Sequence, residues 1–140
     1  MTLTATKITP NLIVSNVERS LAFYVEILGF TRGMTVPEGS DPSGTQHLVF
    51  ASVTSGPVEI FLNDRSTTTK ESPQMAGLAT GGGNTMFVEI EGVDALYERL
   101  KPNANVVMPI VSQWYGVREF AITDPDGYVI TFAERVNADA

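Results

Sequence analysis

Residues 113–134 read QWYGVREFAITDPDGYVITFAE, and the reading of the whole chain turns on them. Asp124-Pro125-Asp126-Gly127 suits a type I turn, with Asp opening it, Pro holding φ at the second position and Gly at the fourth. The flanking runs Arg118–Thr123 and Tyr128–Ala133 are read as strands. Tyr128, Ile130 and Phe132 then share one face, and Val129, Thr131 and Ala133 the other. One face is apolar and the other small and polar, as in a sheet with helices on its back and a cavity at its front. Trp114 and Tyr115 stand at the entrance to the pair.

Working outward, the same grammar occurs twice. Lys7–Val14 alternates as a strand, and Ser15 with Glu18 has capping-box spacing ahead of a stripe of Val17, Leu21, Tyr24 and Leu28. Gly29 stops that helix. Strands follow at Phe30–Val36, Gln46–Ser52 and Pro57–Asn63, with a polar loop, Pro37–Thr45, between the first two. The stretch Asp64–Gly83, rich in Ser, Thr and Gly, reads as a linker or flap; its Gly81-Gly82-Gly83 run has no phosphate-loop spacing. Then come a strand at Asn84–Glu91, a helix marked by Val93, Leu96, Tyr97 and Leu100, and strands at Asn105–Val111, Val117–Thr123 and Tyr128–Glu134. The chain is thus expected to be one domain, residues 1–140, made of two βαβββ modules (7–63 and 84–135) joined by 64–83. Neither half has enough apolar surface to bury its sheet alone, so the two are expected to pack together.

Composition narrows the function classes. With 140 residues, 43% of them hydrophobic, the chain can bury one sizeable core, or two small ones that share a sheet. It has no Cys, which excludes disulfides, thiolate metal sites and cysteine nucleophiles, and its single His, His47, excludes a multi-histidine metal site within one chain. The net charge of −7 offers no basic patch for nucleic acid, and no apolar run approaches membrane-spanning length. No apolar targeting segment opens the sequence, so a soluble cytoplasmic protein is expected.

Three segments carry a resemblance: TPNLIVSNVERSLAFYVEILGF (9–30), NTMFVEIEGVDALYERL (84–100) and residues 113–134. Together they resemble the vicinal oxygen chelate superfamily, which holds glyoxalase I, extradiol dioxygenases and bleomycin resistance proteins. The second and third are most similar to the bleomycin resistance branch, small dimeric drug binders with an aromatic-lined cleft. The resemblance implies an α+β fold: two βαβββ modules forming a curled, open eight-stranded mixed sheet with helices on the outside.

It also implies where metal ligands would stand. In metal-dependent members His or Glu point inward from four strands; by alignment those positions are Thr9, Glu59, Thr85 and Thr131, so only Glu59 keeps a typical ligand. Neutral hydroxyls hold Zn²⁺, Ni²⁺ or Fe²⁺ poorly. The expectation is therefore a protein without cofactor or metal that binds and sequesters a small, cationic, aromatic molecule, and that forms a homodimer with no nucleic-acid or membrane partner. Two readings stay open beside it: a divalent-metal glyoxalase-like lyase, isomerase or dioxygenase, and a non-catalytic module with a vestigial pocket.

The candidate ligand-binding residues are Thr9, Asn11, Glu59, Phe61, Thr85, Phe87, Glu89, Trp114, Tyr115 and Thr131. Alternation in Val58-Glu59-Ile60-Phe61 puts Glu59 and Phe61 on the cavity face, and Thr85, Phe87 and Glu89 share the corresponding face of the second module. Trp114 and Tyr115 would stack on a flat or cationic ligand, while Glu59 and Glu89 would attract its charge. Thr9 and Asn11 share a face of the first strand. Each also has an ordinary use: packing for the aromatics, solvated or hydrogen-bonded strand positions for the acids. Arg118 is expected to pair with Glu119 or another surface acid, and His47 is read as a strand residue rather than a base.

Overall fold

The computed structural model describes residues 2–39 and 47–136, so the loop expected over Pro37–Thr45 lies from residue 40 onward outside the described residues. The fold is α+β, with eight strands in two four-stranded mixed sheets. The chain divides into two compact units, Met1–Gly77 and Leu78–Ala140.

In the first unit, β1 is Asn11–Val14, α1 is Val17–Ala22, β2 is Thr31–Pro37, β3 is Leu48–Ser55 and β4 is Val58–Asp64. The sheet order is β1-β4-β3-β2, and a parallel pair joins the first strand to the last, with Asn11 opposite Phe61. The first strand is shorter than the expected Lys7–Val14. Helix α1 opens one residue later than the capping box implied: Asn16, not Ser15, accepts from the Arg19 amide at 2.9 Å. Glu18 instead accepts from the Leu48 amide across the unit. The helix widens into a π-helical turn over Phe23–Leu28 before Gly29, at φ 93°, ends it where expected. Val17, Leu21, Tyr24 and Leu28 are all buried, as their stripe required, and Tyr24 meets Phe30 edge-on at 5.9 Å. Leu12, Val14, Ala51, Val53, Ile60 and Leu62 form the sheet face of this core.

The segment expected to be irregular, Asp64–Gly83, contains a helix, α2, at Arg65–Glu71 and a 3-10 turn at Pro73–Met75. Its sequence RSTTTKE has no apolar stripe; what starts it is Asp64, nearly buried, whose carboxylate accepts from the Thr67 amide at 3.1 Å and from the hydroxyls of Ser66 and Thr67. Nor are the glycines simply slack. Gly81 has φ +81°, and a Cβ there would stand 2.3 Å from the carbonyl oxygen of Asp126. It is the surface on which the Asp124–Gly127 turn rests.

The second unit repeats the plan: β5 is Thr85–Glu89, α3 is Val93–Leu100, β6 is Asn105–Gln113, β7 is Val117–Thr123 and β8 is Val129–Arg135, in the order β5-β8-β7-β6. The deciding turn forms as its sequence implied. The Gly127 amide donates to the Asp124 carbonyl at 3.0 Å, and the Asp124 side chain accepts from the amides of Asp126 and Tyr128 at 2.9 Å each. Tyr128, Ile130 and Phe132 are buried on the α3 side with Phe120 and Ile122. Helix α3 has no side-chain cap of its own at Gly92; the Glu134 carboxylate reaches over from β8 to accept from the amides of Gly92 and Val93.

Candidate functional site

In each unit the helix covers one face of the sheet, and the candidate residues stand on the other. On the first sheet, Glu59, Phe61 and Asn63 alternate with the buried Ile60, Leu62 and Asp64. Asn11 is opposite Phe61, and the Asn63 amide donates to the Asn11 side chain. Phe61 packs on Phe50 with ring centroids 5.1 Å apart. Thr9 precedes β1 rather than lying within it. Glu59 is ion-paired to Lys7, Nζ to Oε1 at 2.5 Å.

On the second sheet, Thr85, Phe87 and Glu89 are exposed while Met86 between them is buried. Register separates two residues that the family alignment treats as a set. Thr85 stands opposite Val129, and Thr131 stands opposite Phe87. Thr85 and Thr131 thus share a face but lie diagonally, one pair step apart. Glu89 is ion-paired to Arg135 at 2.7 Å and lines a hollow of about 590 Å³ that includes neither Phe87 nor the Trp114–Tyr115 pair.

Trp114 and Tyr115 form the turn between β6 and β7, closed by the Gly116 amide donating to the Gln113 carbonyl at 3.2 Å. Trp114 is 93% exposed and Tyr115 47%, with their rings perpendicular at 5.3 Å. An indole so bare is out of keeping with a residue whose burial is worth more than any other apolar side chain's. The structure fastens the pair from below. The Tyr115 hydroxyl donates to Oε1 of Glu119 at 2.5 Å, and the Gln113 amide donates to the same oxygen at 3.2 Å. This hydrogen bond, then burial, then the carboxylate's charge push the Tyr115 hydroxyl above its ordinary titration range.

Glu119 itself is only 5% exposed, and reading the sequence passed it over. The signal was present in Val117-Arg118-Glu119-Phe120: alternation sends neighbouring charges to opposite faces. Arg118 accordingly does not pair with Glu119. It pairs with Asp94, Nη2 to Oδ1 at 2.8 Å, and its guanidinium also donates to the Ser112 hydroxyl.

His47 also has more partners than expected. Its Nδ1 lies 3.2 Å from Glu18 and its Nε2 3.4 Å from Asp64, so each ring nitrogen serves a different carboxylate. The family's transition metal does not fit this chain. Three of the aligned positions offer hydroxyls, and the fourth, Glu59, already has an ammonium against it. Among the described residues no three His, Cys, Asp or Glu side chains converge as a metal site. Nor is any described helix long and apolar enough to cross a membrane.

Two βαβββ units with parallel outer pairs, and open faces carrying aromatics and carboxylates, define the class. Residues 6–132 match the family model for the glyoxalase/bleomycin resistance protein/dioxygenase superfamily, and the chain belongs to it. Among named relatives it is similar to the bleomycin resistance proteins of Geobacillus stearothermophilus and Staphylococcus aureus. Each is 30% identical over 139 residues, covering 92% of this chain and 96% of the relative. Solved structures share the fold. A protein of unknown function from Agrobacterium tumefaciens superposes with TM-score 0.72 at 20% identity, covering 96% of this chain and 98% of that one. TnmS3, an antibiotic binding protein from Streptomyces sp. CB03234, does so with TM-score 0.68 at 24% identity, covering 95% and 99%.

Proposed function

We propose that this protein captures a flat, cationic small molecule and holds it without changing it, and that it does so without a metal. The observation that carries this is the Trp114–Tyr115 pair: two perpendicular rings, one almost wholly in solvent, pinned by a hydrogen bond that leaves the indole face free. Exposed indole area is stabilised by stacking on another π-system or a cation. The names of the 30% identical relatives supply a first ligand to try, bleomycin.

Within the second unit, the ring faces of Trp114, Tyr115 and Phe87 give contact area, and Thr85 and Thr131 offer hydroxyl groups to a polar scaffold. Within the first, Phe61 offers a ring face, and Thr9 and Asn11 offer hydroxyl and amide groups. Glu59 and Glu89 contribute negative potential softened by Lys7 and Arg135. Nothing in this arrangement requires a nucleophile or a general base, because sequestration makes and breaks no covalent bond. A homodimer in the cytoplasm is the assembly and place proposed with it.

Calorimetric titration with bleomycin tests the reading. Binding is expected for the native chain, with affinity at least about tenfold weaker for Trp114→Ala, the range for losing one stacked aromatic anchor. Equal affinities would remove the aromatic pair from the site. Elemental analysis of protein purified without chelator tests the other half, since a stoichiometric transition metal would count against metal-free binding.

A further inference from the structure

The two carboxylates that sequence alone nominates as anionic anchors are already answered by cations of the chain, Glu59 by Lys7 and Glu89 by Arg135. Glu119 is different. It is recessed on the face of β7 away from α3, beside Val117 and Ala121 and opposite Ala133. Among the described residues no Lys, Arg or His stands within ion-pair distance of it, and its hydrogen-bond donors, Tyr115 and Gln113, are both neutral. Both donors use Oε1. No buried side-chain oxygen among the described residues lacks a partner, so Oε2, which has no donor, keeps an opening to solvent.

We infer that Glu119 is the charge-reading residue of the Trp114 site, and that it selects ligands carrying an N–H-bearing cation, a primary ammonium or a guanidinium, alongside an aromatic ring. A recessed carboxylate without a counterion gains more from a cation than one on the surface, because less water screens the pair. A donor on that cation converts the attraction into a charge-assisted hydrogen bond to Oε2. The spacing suits such a ligand: Tyr115 touches Glu119 with its hydroxyl and Trp114 with its ring, so one molecule spans indole and carboxylate. Arg118, the neighbouring cation, is held on the opposite face by Asp94 and does not compete.

This inference rests on the capture reading above, and the test separates the two. The probes are 1-naphthylmethylammonium and neutral 1-naphthalenemethanol, which share a ring and differ in charge, titrated by calorimetry into the native chain, Glu119→Gln, Glu98→Gln and Trp114→Ala. The native chain is expected to favour the cation by about tenfold or more. Glu119→Gln should abolish that preference while still binding the neutral probe, and Glu98→Gln, a surface acid of α3 paired to Lys101 and outside the site, should keep it. Trp114→Ala should weaken both probes. Survival of the preference in Glu119→Gln, or its absence in the native chain, overturns the role of Glu119 and leaves capture standing if the neutral probe still depends on Trp114. Failure of both probes to bind overturns both readings. Gln retains an acceptor for Tyr115, which protects the fold; should that variant nevertheless unfold, carboxyl-carbon NMR of the native chain decides. The Glu119 resonance should move with the cationic probe only, and an unmoved resonance overturns the inference.

Discussion

Asp64 shows how much one side chain can hold. It caps α2, and both of its oxygens are committed, Oδ2 to Ser66 and Thr67 and Oδ1 to His47. Burial alone would raise its carboxyl, but the hydrogen bonds from Ser66 and Thr67, with the charge of His47, outweigh it and hold the group below its ordinary value of 3.8. The folded-state value is the depressed one, so the stabilisation is complete above the unfolded carboxylate value. It is lost as pH falls through the lower folded value. Asp64→Ala is expected to cost about 1–2 kcal/mol in urea unfolding at neutral pH, the range for a lost N-cap, and to flatten the fall in stability below about pH 4. A variant as acid-sensitive as the native chain would show that Asp64 is not the group titrating there. Asp is a favoured N-cap residue, but Asp64 heads a stretch, RSTTTKE, with no apolar stripe to mark a helix behind it, so the reading as linker hid this role. Glu119 escaped for a related reason: adjacent opposite charges invite pairing, and only the pleat forbids it.

Elements with a strong period were legible and those held by single contacts were not. Val17, Leu21, Tyr24 and Leu28 fall on one stripe, so α1 could be read, including its stop at Gly29. Its π-helical widening could not, since that depends on how Tyr24 and Phe30 meet in space. Helix α2 has no stripe at all and exists through its cap. The glycine run is the sharper lesson, because composition cannot distinguish a slack glycine from one pressed against a carbonyl. Gly81→Ala is expected to destabilise by about 2–3 kcal/mol, combining a positive φ with a backbone clash. Gly82, with open space around its Cα, should tolerate alanine to within about 0.5 kcal/mol. Parallel urea melts of the two variants check the contrast, and equal midpoints would mean that the Asp126 turn simply moves aside. Of the candidate site, the shared face of Glu59 with Phe61, and of Thr85, Phe87 and Glu89, was legible from alternation, whereas Thr9 precedes its strand and Trp114 and Tyr115 lie in a turn, where alternation says nothing. Ion pairing to Lys7 and Arg135 was not legible either, since those partners lie 52 and 46 residues away in the chain.

Across the whole molecule, 16 acidic against 9 basic side chains leave a net charge of −7. Such a surplus speeds the approach of cations and is screened by salt within about 8 Å at physiological ionic strength. Stopped-flow association of 1-naphthylmethylammonium is therefore expected to slow several-fold between about 0.02 and about 0.3 M salt, while 1-naphthalenemethanol is unaffected. Equal salt dependence for the two would mean that the surplus plays no part in capture. In both units the strand made last in the chain is an inner strand of the sheet, hydrogen-bonded to the unit's opening strand on one side and to its predecessor on the other. During synthesis, β5 and β7 must therefore wait with bare edges until Val129–Arg135 has left the ribosome. A premature stop at the start of that strand would deliver not a slightly trimmed protein but a half-zipped one, ready to stick to its neighbours.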